Sequence, residues 1–272
     1  MERIKKGDIV GRISYGKDIL FVVDRIININ DNKKIAILKG IIVRIKADSP
    51  IEDLEIIDKR IITEKVKKFE DRISFLVNKF LGGSKEKRAK KLLYTGKILH
   101  LDGDRRYSEK SEKYYRSLGL DAVVKNIEEN KQPQMVKMML QRYSPDILVV
   151  TGHDGMIKNG TKFQDLYNYR NSAYFARSVK EARSLYNDKD LVIFAGACQS
   201  FYEVLIEAGA NFASSPARIL IDFLDPLIIA QTVATTEENK FITIKDVEKN
   251  LRDGVRGVNG IGALGKKKII LF

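Results

Sequence analysis

The sequence predicts an α/β protein in which a mostly parallel β-sheet carries helices on both faces. Two apolar runs, Ile147–Val150 and Leu191–Phe194, each lead into a segment that contains glycine, and such runs are typical of buried parallel strands. From about residue 92 onward, strand patterns alternate with helix patterns. This alternation favours parallel strands that are joined by crossover helices.

The N-terminal part, residues 1–58, is rich in short strand patterns. Apolar runs at Ile19–Val23, Ile35–Leu38 and Ile41–Ile45 alternate with turn-forming residues such as the Lys39-Gly40 pair. Strands this short and this closely spaced predict a small SH3-like β-barrel. Barrels of this size bind peptides or nucleic acid, or act as docking modules.

Residues 59–91 are predicted to form a helical, basic linker. Between residues 61 and 81 the apolar side chains recur at helical spacing, and the pattern ends at Gly82-Gly83. The spaced residues are Ile62, Val66, Phe69, Ile73, Leu76, Val77 and Phe80. Such a stripe is typical of a core-facing or partner-facing helix.

Most of the positive charge lies in this middle part of the chain. Residues 61–100 carry 11 Lys and Arg against 4 Asp and Glu, while the whole chain has a net charge of +13. A solvated linker or helix surface is the main interpretation of the basic run 84–91, and a surface that docks an acidic partner is the alternative. The run has no interleaved aromatic residues, which argues against a nucleic-acid site.

The C-terminal part, residues 92–272, is predicted to form the main domain. Its predicted strands cover residues 97–101, 121–127, 147–150, 191–194 and 269–272, and its predicted helices lie near 108–118, 136–140 and 172–185.

A histidine and the single cysteine of the chain follow two of these strands. His153 comes shortly after Ile147–Val150, and Cys198 comes shortly after Leu191–Phe194. Because ligands bind at the carboxyl ends of strands in open α/β sheets, these two side chains are expected at one edge, as a nucleophile pair requires. The alternative for each is a structural role, since a free cysteine is commonly an inert buried residue.

The residues after Cys198 predict a helix that begins at Gln199. A cysteine at a helix N-terminus has its thiolate stabilised by the helix dipole, so the pattern predicts a lowered thiol pKa. Two further polar residues, Asp102 and Asp104, follow another predicted strand. They suit either a Mg²⁺ site or a turn with a helix-capping aspartate, and the turn is the preferred interpretation. His100 lies inside that strand and is predicted to be a buried structural residue.

Short segments around His153 and Cys198 resemble the caspase-like cysteine peptidases, whose signature is an apolar block ending in His-Gly and a later one ending in Ala-Cys. Thr151–Gly155, Gly196–Phe201 and Ala213–Arg218 are similar to the sporulation-specific YabG peptidases of that group. The resemblance spans the whole chain. It implies a caspase-like fold for the C-terminal part and a cysteine endopeptidase that processes spore-coat and germination proteins.

The resemblance also implies roles for individual residues. Cys198 attacks the peptide carbonyl, His153 moves the proton, and the backbone N–H groups of Cys198 and of Gly155 or Asp154 hold the oxyanion. Asp154 stands between His153 and Gly155, which departs from the wider pattern. Similarity to the arginine-selective members implies cleavage after Arg or Lys. The predicted pocket residues are Ser214 and Ser215 with an acid from Asp222, Asp225 or Asp154.

The composition adds expectations about setting and partners. One cysteine excludes an internal disulfide, and one cysteine with two histidines makes a zinc site improbable, so no cofactor or metal is predicted. No apolar run is long enough for a membrane span and no signal peptide is evident, so a cytoplasmic protein is expected. The resemblance implies the mother-cell side of a sporulating bacterium and an association with the spore coat. Protein substrates are the expected partners, and the oligomeric state is left open.

Two further hypotheses follow from the basic linker. The peptidase is predicted to cut itself within the run 84–91, with Arg88 before the cut bond, since exposed basic segments suit an arginine-selective enzyme. The alternative function is a non-catalytic adaptor that binds nucleic acid or protein through the barrel and the linker.

Overall fold

The computed structural model describes residues 4–30, 33–83, 92–157 and 163–270. The basic run 84–91 and the predicted self-cleavage site at Arg88 lie outside the described residues. The described residues form an α/β protein with one antiparallel sheet near the N-terminus and one mostly parallel sheet beyond it. The α/β class predicted from the sequence is confirmed.

The N-terminal sheet consists of five antiparallel strands in the spatial order β4-β3-β2-β1-β5. The strands are β1 (Ile9–Arg12), β2 (Phe21–Asn30), β3 (Lys33–Gly40), β4 (Lys46–Pro50) and β5 (Leu54–Ile56). Val10, Val23 and Leu38 are fully or almost fully buried in its core.

The predicted strand at Ile41–Ile45 is wrong. These five residues form the loop between β3 and β4, which we call the Arg44 loop. Ile42 packs against the core of the second sheet, whereas Val43 and Ile45 pack with the core of the N-terminal sheet and with Cys198 and Ile221. Because these apolar residues are partly or fully buried, the run resembles a strand in the sequence. Ile45 is 6% exposed and packs beside Cys198 and Ile221.

Helix α1 (Lys59–Gly83) follows the N-terminal sheet and confirms the predicted helix. Its apolar stripe packs against the core of the second sheet, where Phe69 contacts the Phe223 ring edge-on at a centroid distance of 5.6 Å. On the same side, Arg72 Nη1 donates to Asp222 Oδ2 at 2.5 Å. The helix therefore packs on side chains, among them Tyr114 and Ile228, that cover one face of the second sheet.

The second sheet has six strands in the order β13-β11-β10-β9-β7-β8, of which only the edge strand β13 runs antiparallel to its neighbour. Two small two-stranded pairs, β12 with β14 and β15 with β6, accompany it. The strands are β6 (Leu92–Tyr94), β7 (Ile98–Asp102), β8 (Ala122–Asn126), β9 (Ile147–Thr151), β10 (Val192–Ala195), β11 (Phe212–Ser214), β12 (Phe241–Ile242), β13 (Val258–Gly260), β14 (Ala263–Leu264) and β15 (Lys268–Ile270).

Helices cover both faces of this sheet, as predicted. They are α2 (Arg105–Ser117), α3 (Gln132–Tyr143), α4 (Ser172–Arg183), α5 (Tyr202–Glu207) and α6 (Asp225–Thr235). Successive residues of β9 face opposite sides: Ile147 and Val149 pack with α2 and α6, whereas Leu148 and Val150 pack with α3 and α4. The sheet thus separates two cores.

The strand register brings three strand ends to one edge. Asp102 at the end of β7 lies opposite Thr151 of β9, and Ala195 of β10 lies opposite Val150. Because the three strands are parallel, the segments that follow them share this edge. The Arg44 loop of the N-terminal sheet reaches the same place, since Ile45 forms a bridge with Asp154.

Candidate active site

His153 follows β9 and is completely buried. Its backbone N–H donates to Glu129 Oε1 at 2.7 Å, and its carbonyl accepts from Asn171 Nδ2 at 2.6 Å. The ring Nε2 lies 3.2 Å from the carbonyl oxygen of Gly40, which belongs to the N-terminal sheet. The backbone of the histidine is therefore held by the C-terminal part, while its ring touches the start of the Arg44 loop.

The surroundings of the His153 ring favour the neutral imidazole. Burial lowers its pKa, and the charges of Asp104 and Glu129 oppose that shift. Asp104 Oδ2 lies 3.9 Å from Nδ1, and the Tyr107 ring meets the imidazole edge-on at 5.5 Å. A neutral ring with a nearby carboxylate can accept a proton and be stabilised once charged.

Glu129 is a site residue that the sequence analysis missed. Its carboxylate is buried below the two turns that follow β7 and β9, and it holds the His153 backbone there. A Cβ atom would lie 2.3 Å from Glu129 Oε1 at Gly103 and 2.5 Å at Gly152. Only glycine at these two positions lets the backbone come this close to the carboxylate.

Cys198 lies in the turn after β10 and is also completely buried. Its sulfur accepts from the Ile221 N–H at 3.4 Å, and burial raises its thiol pKa to about 12. The predicted helix is present as α5, but it begins at Tyr202 and not at Gln199, which has a left-handed backbone with φ of 55°. No helix dipole reaches the sulfur, so the prediction of a lowered pKa in this conformation is also wrong.

The carboxylate of Asp154 ties the turn at His153 to its neighbours. It accepts hydrogen bonds from the Gly155 N–H, the Asn171 N–H and the hydroxyls of Ser172 and Ser200, and burial raises its pKa against these bonds. Its oxygens are used inside the protein, so this side chain holds the loops together.

The backbone of Asp154 faces the Arg44 loop. Its N–H donates to the Arg44 carbonyl at 3.2 Å, and its carbonyl accepts from the Lys46 N–H at 2.8 Å. The Gly155 N–H is instead occupied by the Asp154 carboxylate at 2.8 Å. Of the two N–H groups left open by the sequence, that of Asp154 is therefore the one that holds a peptide carbonyl.

Arg44 is fully buried in a pocket at the end of β7. Its Nη1 donates to Asp102 Oδ2 at 2.5 Å, and its guanidinium lies over the rings of Tyr107 and Phe223 at 4.5 and 5.2 Å from their centroids. Burial would raise the pKa of Asp102, but Arg44 and His100 hold it well below its usual range. The pocket thus pairs one buried carboxylate with aromatic walls, which suits a guanidinium.

The acids predicted for the substrate pocket have other partners. Asp222 binds Arg72 and accepts from the Leu224 N–H at 2.9 Å. Asp225, at the start of α6, accepts from the Asp222 N–H at 2.9 Å and the Arg252 N–H at 3.2 Å. Burial, with the charge of Asp222, raises the Asp225 pKa to about 7.

The two predicted pocket serines differ in their surroundings. Ser214 is buried, and its hydroxyl has no hydrogen-bond partner among the described residues. Ser215 Oγ accepts from the Ile219 N–H at 2.8 Å and lies 2.9 Å from the Ile219 carbonyl. Only Ser214 therefore keeps a free polar group.

The structure does not favour the alternative of a Mg²⁺ site at Asp102 and Asp104, because both carboxylates are bound by other groups of the protein. Asp102 pairs with Arg44, and Asp104 caps α2, because its Oδ1 accepts from the Arg106 N–H at 2.8 Å. The preferred interpretation of Asp104 as a helix cap is confirmed. Within the described ranges, no group of three or more His, Cys, Asp or Glu side chains is arranged to hold a metal ion.

Comparison with known proteins identifies the family. Residues 5–271 match the family described as YabG peptidase U57. The chain belongs to the YabG peptidase family. The sporulation-specific protease YabG of Bacillus subtilis (strain 168) is 37% identical over 278 residues, which covers 97% of this chain and 96% of that protein. The match to the YabG family includes both sheets and α1, so this chain is a peptidase of a sporulation protease family.

Besides Glu129, the sequence analysis missed a second part of the site, which comes from the loop between β3 and β4. Arg44 stands between Val43 and Ile45, and a charged residue inside an apolar run was the available signal. In the part of the chain that the structure describes, no helix is long and apolar enough to cross a membrane.

Proposed function

We propose that this chain is a cysteine endopeptidase in which Cys198 is the nucleophile and His153 transfers the proton. One observation carries the proposal: a single peptide segment touches all three groups that peptide hydrolysis needs. The Gly40 carbonyl lies 3.2 Å from the His153 ring, Val43 and Ile45 pack in the same apolar cluster as Cys198, and the Arg44 carbonyl accepts from the Asp154 N–H. A substrate peptide in the same place would meet the same groups.

The chemistry follows from these positions. His153 takes the proton from the Cys198 thiol, and the sulfur attacks the peptide carbonyl carbon. The resulting oxyanion is held by the N–H groups of Asp154 and Cys198, each of which contributes about 3 kcal/mol to lowering the barrier. His153 then gives its proton to the leaving amine, and water hydrolyses the thioester.

Cleavage after arginine or lysine is part of the proposal. The acid that recognises the basic side chain is proposed to be Asp102, because it already binds the guanidinium of Arg44, which lies over two stacked aromatic rings. Asp222, Asp225 and Asp154 are less suitable, since their oxygens are bound by other groups of the protein. Ser214, with its free hydroxyl, stays a proposed lining residue.

The domain division and the biological role are proposed on the same basis. A caspase-like arrangement for residues 92–272 is supported by the six-stranded sheet, and an SH3-like fold for residues 1–58 by the five antiparallel strands. Residues 59–91 connect the two. Membership of a sporulation protease family supports spore-coat and germination proteins as substrates and the mother cell as the place of action.

Hydrolysis of short fluorogenic peptides tests this function. Arginyl, lysyl and aspartyl peptides are offered to the full chain and to its Cys198→Ala and His153→Ala variants, each also in an Arg44→Ala background that empties the pocket. We expect hydrolysis of the arginyl and lysyl peptides that both site variants abolish. Unchanged hydrolysis in Cys198→Ala, or equal turnover of the aspartyl peptide, would contradict the proposal. If no variant is active, the adaptor alternative is favoured.

A further inference from the structure

The Arg44 loop crosses the candidate cleft in the manner of a bound peptide. Val43 forms an antiparallel bridge with Asp222, and Ile45 forms a parallel bridge with Asp154. Between these two residues, the Arg44 carbonyl accepts from the Asp154 N–H at 3.2 Å. The backbone on both sides of the Arg44–Ile45 bond is therefore fixed to the walls of the cleft.

The Arg44 side chain of the loop is of the type that the proposed enzyme selects in a substrate, a basic residue before the cut bond. Arg44 is completely buried and places its guanidinium against Asp102 and over the stacked rings of Tyr107 and Phe223. Its carbonyl accepts from the Asp154 N–H, the group that is proposed to hold the oxyanion of a substrate. The loop thus matches the pocket in its charge and in its aromatic contacts.

The loop also closes the site completely. Cys198 and His153 both have no exposed surface. The groups around them include Gly40, whose carbonyl lies 3.2 Å from the imidazole, and Ile45, which packs in the same apolar cluster as Cys198. No protein substrate can reach the sulfur while the loop is in place.

The N-terminal sheet holds both sides of the Arg44–Ile45 bond. The Gly40 N–H donates to the Ile45 carbonyl at 2.9 Å, and Lys46 begins β4, where Lys39 pairs with it. If the bond were cut, the new amine at Ile45 would stay beside the acyl group and could re-form the bond. A loop held in this way resists hydrolysis and blocks the site.

The side chain of the loop is bound incompletely. Nη1 of Arg44 binds Asp102, whereas Nε and Nη2 have no hydrogen-bond partner among the described residues. Buried donors without partners cost free energy, which offsets part of the benefit of the ion pair. The loop can therefore be displaced by a partner or a substrate that satisfies the pocket better.

From these contacts we infer that the Arg44 loop is a built-in inhibitor and that the folded chain is latent until the loop leaves the cleft. The inference rests on the proposed function, because it assumes that Cys198 and Asp102 serve substrate hydrolysis. One part of the inference, that Arg44 holds the loop over the Cys198 thiol, can be tested by the accessibility of the thiol and needs no peptidase activity.

Alkylation of the thiol by iodoacetamide at neutral pH tests the inference on the full chain. Cys198 is the only cysteine, so the mass of the intact protein reports its labelling directly. The variants are Arg44→Ala and Arg44→Gln, and the matched control is Arg25→Ala, an exposed arginine in β2 of the same sheet. Arg44→Gln keeps part of the side-chain stem, so it provides a second test if Arg44→Ala is poorly folded.

We expect slow labelling of the wild type and of Arg25→Ala, and labelling at least about tenfold faster in both Arg44 variants, since a lost charge-assisted contact is worth roughly 1.5–3 kcal/mol. Arginyl peptide hydrolysis should rise in parallel. Faster labelling without any hydrolysis would support the covering loop and count against the proposed peptidase function.

Two results would overturn the inference. One is labelling of both Arg44 variants at the wild-type rate, which would show that Arg44 does not hold the loop closed. The other is a wild-type chain that rapidly cuts itself into a fragment beginning at Ile45, because the loop would then be a substrate and not an inhibitor. Intact mass spectrometry of the same samples distinguishes these outcomes.

Discussion

The carboxylates of Asp102 and Asp104 have different roles at the candidate active site, although they stand only two residues apart in the chain. Asp102 faces the guanidinium of Arg44 and carries the proposed selectivity. Asp104 caps α2 with one oxygen and lies 3.9 Å from Nδ1 of His153 with the other. We therefore regard Asp104 as a positioning residue that acts through the histidine.

Asp104→Asn is expected to lower kcat about tenfold with little change in KM. The amide oxygen can still cap α2, but the charge that raises the His153 pKa is lost, so the acidic limb of the rate profile should move to lower pH. The measurement is the pH dependence of kcat in the Arg44→Ala background, with Glu109→Gln, an exposed residue of α2, as control. An unmoved limb would contradict the role of Asp104.

Asp102→Asn is expected to lower kcat/KM for arginyl peptides by about 10- to 100-fold, because a buried charge-assisted hydrogen bond is worth roughly 1.5–3 kcal/mol. Asp222→Asn should change kcat/KM for arginyl peptides by no more than about threefold, because the Asp222 carboxylate binds Arg72 and not the substrate. The comparison is made in the Arg44→Ala background. The opposite ranking of the two variants would place the selective acid at Asp222.

Among the secondary-structure elements, the turns after β7 and β9 set the shape of the site. Both pass directly over Glu129, which fixes the His153 backbone. Their glycines are required by space and not by a special backbone angle, because a Cβ atom would collide with the carboxylate.

Gly152→Ala should therefore reduce both stability and activity. A Cβ atom 2.5 Å from Glu129 Oε1 forces one of the two segments to move, and overpacking of this kind costs about 1–3 kcal/mol. Urea unfolding measures the loss, and Gly82→Ala in α1, where a Cβ meets nothing within 4 Å, is the matched control. Equal stability of the two variants would show that Glu129 is not constrained as described.

The sequence correctly predicted the helices and strands whose buried side chains follow a regular spacing within the element itself. The apolar stripe of α1 and the runs of β9 and β10 each pack along their own length, so their periodicity reports the structure. The strand at Ile41–Ile45 and the start of the helix after Cys198 were predicted wrongly, because both owe their shape to contacts between distant parts of the chain. The Arg44 loop is buried between the core of the N-terminal sheet and residues of the second sheet, and a single sequence does not encode that pairing in any local pattern.

The site residues divide in the same way. Cys198 and His153 were proposed from strand ends, and the parallel register of β9 and β10 brings those two strand ends to one edge of the sheet. Asp102 was assigned to a turn because nothing near it in the sequence indicates its partner. That partner, Arg44, stands 58 residues earlier in the chain. Residues that act across two sheets are visible only in the folded molecule.

At the scale of the whole molecule, burial of Asp225 links stability to pH. Its pKa of about 7 in the folded protein lies above the ordinary value of 3.8, so between these pH values the folded state binds a proton that the unfolded state has lost. Stability is then greatest below the unfolded pKa and falls as the pH rises through about 7.

Asp225→Asn should remove this dependence. Between pH 5 and 8 the wild type is expected to lose about 2 kcal/mol more free energy of unfolding than the variant, since one pKa unit corresponds to roughly 1.4 kcal/mol. The histidines contribute equally to both proteins, so urea unfolding at the two pH values isolates Asp225. Identical pH dependence in the two proteins would mean that Asp225 is ionised throughout.

The central claim, that Cys198 attacks a carbonyl after a basic residue with help from His153, is tested most directly by covalent trapping. An arginyl chloromethyl ketone is incubated with the Arg44→Ala chain, and the modified peptide is identified by mass spectrometry. The account predicts one adduct, on Cys198, that forms much more slowly with the aspartyl reagent or after His153→Ala. No adduct on Cys198, or equal rates with both reagents, would contradict it.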